Sequence, residues 1–170
     1  MPASVYAYPF GELSVMGSYS KTNFGSNNFA TTRRYTAALA YNLTKVTSLE
    51  LSFMNTDSYV NQDPFQTSTT NEQILALSVL QALLPASMVV QPYVKAGAAQ
   101  YNRLQKGTIA GIPTREVFTK SPSGVLGGGV RIFLLKTFSL KAEVQTYLAD
   151  LKLIEAKNNF SIQGGLGWHF

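Results

Sequence analysis

At 170 residues the chain has the length of one domain, and 45% hydrophobic against 14% charged residues excludes a disordered polymer. It has no cysteine and one histidine, which excludes a disulfide framework, a thiolate metal site and a cysteine nucleophile. Fourteen Lys and Arg against nine Asp and Glu give a net charge of +5, which suits nucleic acid, anionic lipid or basic loops according to where the charge sits.

Residues 1–10 (MPASVYAYPF) lack the basic start and long apolar core of a secretory leader. The chain is therefore either cytosolic or a mature protein whose leader is gone, with Met1 an added start residue and residues 1–170 a single domain. Residues 10–23 alternate, with Leu13, Val15, Gly17 and Tyr19 on one parity and Glu12, Ser14, Met16, Ser18 and Ser20 on the other. That is the period of a strand, not of a helix. Residues 34–43 repeat it, setting Tyr35, Ala37, Leu39, Tyr41 and Leu43 against Arg34, Thr36, Ala38, Ala40 and Asn42. Residues 48–56 set Leu49, Leu51 and Phe53 against Ser48, Glu50, Ser52 and Met54.

Residues 73–94 (QILALSVLQALLPASMVVQPYV) pass the length test for a membrane helix, but Pro85 and Pro92 interrupt them. Proline in a helix interior costs about 3 kcal/mol or more, so the stretch reads as two strands joined by a tight turn. In the first, residues 73–83, Ile74 and Leu80 are apolar on the parity that otherwise carries polar groups. The second, residues 90–101, puts Lys95 on a face with Tyr93, Gly97 and Ala99. Residues 125–134 carry Leu126, Val130, Ile132 and Leu134 against Gly127, Gly129 and Arg131. Residues 138–147 carry Leu140, Ala142 and Val144 against Ser139, Lys141, Glu143 and Gln145. Residues 160–170 close the series with Phe160, Ile162, Leu166, Trp168 and Phe170 against Ser161, Gln163, Gly165, Gly167 and His169.

Eight strands result. Their connections alternate between short turns near residues 44–47, 84–87 and 136–137 and long polar ones over 22–33, 57–71, 102–123 and 149–159. Tight turns at one end and long loops at the other are the pattern of an up-and-down transmembrane β-barrel. A soluble lipocalin-like binding barrel shares the alternation. Charge placement separates the two: the polar parity is mostly Ser, Thr, Gly, Ala and Gln, as in a crowded lumen, and not the Lys and Glu of a solvated face. The apolar parity has aromatics towards strand ends (Tyr19, Tyr35, Tyr41, Phe53, Phe138, Phe160, Trp168 and Phe170), where an interfacial girdle sits.

The eight alternating strands, the GVLGGGVRIF stretch leading to LKTFSLKAEVQTY and the closing FSIQGGLGWHF resemble the small outer-membrane β-barrels of Gram-negative bacteria typified by outer-membrane proteins A and X. The resemblance covers residues 10–170. Its most specific element is the C-terminal run Phe160, Ile162, Leu166, Trp168 and Phe170, similar to the family's assembly signal, with the small Gly164 as a departure. It implies an integral outer-membrane location, short periplasmic turns, four longer extracellular loops and biogenesis by the barrel-assembly machinery. It also implies a non-enzymatic role in envelope stability, adhesion or contact with a host surface or lipopolysaccharide.

Eight strands enclose an interior just wide enough for side chains to fill. The inward charges, Glu12, Arg34, Glu50, Lys95, Arg131, Lys141 and Glu143, are nearly matched in sign and are expected to pair as an ionic network. Arg131 and Glu143, on adjacent strands at similar depth, are expected to form one such pair. A narrow channel or carrier for small solutes is the competing function.

A catalytic centre is not expected, since barrel hydrolases need a His base near the outer leaflet and His169 falls at the opposite mouth, about 30 Å of hydrocarbon away. One His and no Cys make no structural zinc site, and Asp57, Asp63, Asp150 and Glu155 lack a calcium-loop pattern. No cofactor is expected. Gly127, Gly128, Gly129, Gly164, Gly165 and Gly167 precede no helix, so they relieve crowding rather than cradle phosphate. The third long connection (NRLQKGTIAGIPTREVFTKSPS) concentrates the basic excess in Arg103, Lys106, Arg115 and Lys120, placed to meet lipopolysaccharide phosphates. Its Ile109, Ile112, Val117 and Phe118 fit an extension of the adjoining strands better than an adhesive edge. Nucleic acid is not an expected partner, for want of aromatics on a basic face. A closed barrel has no open edge that forces assembly, which suits a monomer.

Overall fold

The structure, a computed structural model, describes residues 10–24, 28–62, 66–85, 87–109, 112–114, 116–149 and 160–170. Arg115, Asp63, Asp150, Glu155 and almost all of the 149–159 connection lie outside the described residues.

The strands are β1 (Gly11–Asn23), β2 (Asn28–Asn42), β3 (Thr47–Gln62), β4 (Gln66–Ala82), β5 (Val90–Ile109), β6 (Ile112–Pro113), β7 (Val117–Phe133), β8 (Phe138–Ala149) and β9 (Phe160–His169). They hydrogen-bond in the order β4-β3-β2-β1-β9-β8-β7-β5-β6, and pairing of β4 with β5 closes the sheet into an eight-stranded antiparallel barrel. The short β6 stands outside this ring, paired to the end of β5 through Thr108↔Pro113 and Ile109↔Ile112. The seam between first and last strands runs from Glu12↔His169 to Gly17↔Gly164. Below it Gly11 and Phe170 exchange both backbone hydrogen bonds, at 2.9 and 3.1 Å, so these two residues close the ring.

The alternation fixes which way each side chain points. Leu13, Val15, Leu39, Leu51, Leu77, Leu126, Leu140 and Leu166 are exposed on the outer wall, while Glu12, Ser14, Ala38, Glu50, Ser78, Lys95, Lys141 and Glu143 are buried inside. Only hydrocarbon makes such an exterior stable. Ile74 and Leu80 do face inward. At the periplasmic end the turns are tight. Thr44 Oγ1 accepts the backbone N–H of Val46 (3.2 Å) and Thr47 (2.9 Å), and Leu134 N–H donates to Phe138 O at 3.0 Å.

The strands run further into the long connections than hydropathy alone draws them. A strand crosses a bilayer in roughly 9–11 residues, whereas β3, β4, β5 and β7 have 16, 17, 20 and 17. Arg103 and Lys106 therefore lie on β5 and Lys120 on β7, on paired strands rather than in a loop. Ile109, Val117 and Phe118 are likewise strand residues, and Ile112 is in β6.

Candidate functional site

The lumen has three layers. In the periplasmic half, six of the inward charges form one continuous chain. Arg131 Nη2 lies 2.5 Å from Glu12 Oε2, whose other oxygen is 3.0 Å from Lys141 Nζ. Lys141 Nζ reaches Glu50 Oε2 at 3.4 Å, and Lys95 Nζ bridges Glu50 Oε1 (3.2 Å) and Glu143 Oε1 (2.6 Å). Three carboxylates meet three cations, all buried, so the layer is neutral within itself. Its remaining valences are filled by neutral donors and acceptors. Tyr93 donates to Glu143 Oε2 at 2.7 Å, Gln163 donates to Glu143 Oε1 at 3.3 Å, and Arg131 donates to Gln91 Oε1 at 3.0 Å. Charge-assisted bonds in so dry a place are strong only because almost every group has a partner.

Two expectations for that chain do not hold. Arg131 and Glu143 do not pair: register sets Arg131 beside Lys141 and Glu143 beside Gly129, and Arg131 reaches instead across the lumen to Glu12. Arg34 has the expected inward parity but sits too far up β2 to join, and its Nε donates to Thr56 Oγ1 at 3.1 Å. Tyr93, Gln91 and Gln163 belong to the layer although nothing in their residue type announced it; their odd-numbered positions on β5 and β9 were the available signal.

His169, the lone histidine, is buried at the periplasmic mouth, where its Nε2 lies 2.8 Å from Ser139 Oγ and its ring packs on Phe133 with centroids 4.9 Å apart. Inward glycines make room for the long side chains. A Cβ on Gly167 would stand 2.8 Å from Ser139 Oγ and 2.9 Å from Glu12 Oε1.

Above the charges lies an apolar layer of Met54, Ile74, Ala76, Ala99, Val125 and Tyr147. Above that, the lumen opens into a polar cup of about 500 Å³. Arg34, Glu72, Tyr101 and Arg103 line it together with the hydroxyls of Ser20, Thr32, Thr56 and Ser58. On the outer strands Lys106 pairs with Glu116 at 2.7 Å, and Ile109, Ile112, Val117 and Phe118 are all more than half exposed. Phe160, Ile162, Leu166, Trp168 and Phe170 form one outward row along β9 and its end. Among the described residues no group of three or more His, Asp or Glu side chains is placed to hold a metal ion.

A closed eight-stranded barrel with an apolar exterior and a side-chain-filled interior defines a small integral barrel of the outer membrane. The sequence matches the outer membrane protein beta-barrel domain family over residues 1–170, and the chain belongs to that family. Among solved structures it is similar to the N-terminal β-barrel domain of Pseudomonas aeruginosa OprF, with 19% identity over 94% of this chain and 96% of that one, and a TM-score of 0.63. The Ail protein of Yersinia pestis aligns at 15% identity over 94% and 99%, TM-score 0.58. Neisserial surface protein A aligns at 11% over 94% and 96%, TM-score 0.61. At these identities the likeness is one of fold. Among curated proteins none matches the chain in sequence.

Proposed function

We propose that this outer-membrane barrel is non-enzymatic, keeps its lumen shut to steady flux, and uses its protruding outer strands for adhesion, envelope stability or contact with lipopolysaccharide. The observation that carries the reading is the β5–β7 hairpin, whose outer face presents Lys106, Lys120 and the exposed Phe118. Cations interleaved with apolar groups suit a polyanionic surface that also offers apolar contact. One similar barrel, Ail of Yersinia pestis, has been solved with the heparin analogue sucrose octasulfate, which supports a polyanion as the class of partner. The neutral ionic layer supports closure, and the full burial of His169 and Ser139 at the periplasmic mouth, far from the outer rim, supports a non-enzymatic role. The row ending at Phe170 is read as the assembly signal, and the absence of an open barrel edge favours a monomer.

The test has two arms. The protein in detergent should be retained on immobilised heparin in a salt-sensitive manner, and K106Q/K120Q should elute earlier while keeping the heat-modifiable gel shift of a folded barrel. In planar bilayers it should show no steady openings. Unchanged retention of the double variant removes the display reading; steady openings abolished by Lys95→Met establish the channel instead.

A further inference from the structure

The polar cup above the apolar layer is used by neither the ionic chain nor the outer hairpin, and its chemistry is specific. Arg34 spends only Nε, on Thr56; its two terminal amino groups have no hydrogen-bond partner among the described residues. Across the cup, one oxygen of Glu72 accepts the Tyr101 hydroxyl at 2.7 Å and lies 3.7 Å from Arg103 Nε, which is buried without a hydrogen bond. Glu72 thereby holds both Tyr101 and Arg103 against the wall. Among the described residues that line it, two guanidinium groups against one carboxylate leave the cup one positive charge in excess, surrounded by hydroxyls. Guanidinium forks recognise carboxylate and phosphate oxygens bidentately, and hydroxyls satisfy the alcohols of a sugar. The volume, about 500 Å³, lies inside the range of small-molecule sites. Met54, Ile74 and Tyr147 form an apolar floor, so whatever enters stops there.

We infer that the outer end of the lumen is a blind binding cup for a soluble acidic sugar, a mono- or disaccharide carrying a phosphate or carboxylate, gripped by Arg34 and Arg103. This goes beyond display by the outer strands and does not depend on it, because the cup is walled by the barrel itself. The ligand comes from solution: the strand wall separates the cup from lipid headgroups outside.

The experiment is isothermal titration of the folded protein in detergent micelles with glucose 6-phosphate, glucuronate and glucose. Both anionic sugars should bind, and glucose should bind at least about tenfold more weakly. Arg34→Gln and Arg103→Gln should each weaken the anionic sugars by about tenfold or more, and Glu72→Gln should strengthen them several-fold by removing the competing carboxylate. Lys45→Gln, at the opposite end of the barrel, should leave affinity unchanged. The heat-modifiable gel shift certifies that each variant is folded. Equal affinity for glucose and glucose 6-phosphate, no binding of either anionic sugar by the folded wild type, or indifference to both arginine substitutions overturns the proposal. Heparin retention is read separately, so failure of the cup leaves the display reading standing and the reverse.

Discussion

The ring of Tyr93 on β5 lies directly over Gly129 on the neighbouring strand β7, so close that a Cβ added at Gly129 would stand 2.7 Å from the Tyr93 hydroxyl oxygen and would also meet the carbonyl of Ala142. The vacancy of a side chain at 129 is what lets Tyr93 reach Glu143 and lie beneath Arg131 and Lys141, 5.5 and 5.6 Å from its centroid. Because one obstacle is backbone, the clash cannot be relieved by a rotamer change. Gly129→Ala should lower stability by about 1–3 kcal/mol, the usual range for overpacking. Urea titration followed by the heat-modifiable gel shift measures it, and an unchanged midpoint contradicts the packing account.

Lys95 holds two carboxylates at once, which makes its loss different from loss of either partner. Lys95→Met leaves Glu50 and Glu143 buried with a cation deficit, and removing one member of a buried pair costs about 3–5 kcal/mol. Adding Glu143→Gln to Lys95→Met restores neutrality and should recover a large part of that loss, although the double variant has fewer ion pairs. A double variant less stable than Lys95→Met would mean that the pairs themselves, not charge balance, set the stability.

The partner of Arg131 can be tested by double-mutant cycles. Glu12 and Arg131 are in direct contact, and contacting groups couple by about 0.5–3 kcal/mol. The Glu12→Gln/Arg131→Gln cycle should therefore show a larger coupling than the Glu143→Gln/Arg131→Gln cycle. The reverse order would restore the pair suggested by adjacency along the sequence.

That pair illustrates what the sequence carries and what it does not. A period of two states which face a residue occupies, so the inward set Glu12, Glu50, Lys95, Arg131, Lys141 and Glu143 was legible. Reach across a lumen was not. β1 and β7 are separated in the sheet by β8 and β9, yet Glu12 and Arg131 meet because long side chains span a narrow interior. Depth was only partly legible, and Arg34 shows it: correct in parity, it sits in the cup above the apolar layer and not among the charges below. Strand ends were missed for a related reason. Above the bilayer both faces of a strand meet water and the hydropathic alternation disappears while the backbone ladder continues. Asn55, Asp57 and Asn71 mark that zone, bonded to one another at 2.6–3.2 Å on the outer surface of β3 and β4.

Trp168 is the only tryptophan and sits exposed on the outer wall beside Leu13 and Phe138, near the periplasmic turns. Its emission in lipid vesicles should be blue-shifted and resistant to aqueous acrylamide, as expected of a ring in the interfacial belt. Lipids brominated near the headgroup should quench it more than lipids brominated at the chain terminus. Strong acrylamide quenching in vesicles would place the ring in water and remove β9 from the lipid-facing wall.

Phe170 separates assembly from stability. Its backbone closes the ring with Gly11, and its side chain lies against Gly11 and the Trp168 ring, at a centroid distance of 5.6 Å. Phe170→Ala keeps the backbone bonds and removes an aromatic that is half exposed, so refolding of purified protein into micelles should lose no more than about 1–2 kcal/mol. If Phe170 is instead read by an assembly factor, the fraction of heat-modifiable barrel recovered from cell envelopes should fall severalfold for the same variant. Equal modest losses in both measurements would reduce Phe170 to a packing residue, whereas a large deficit confined to cells assigns it to recognition during insertion.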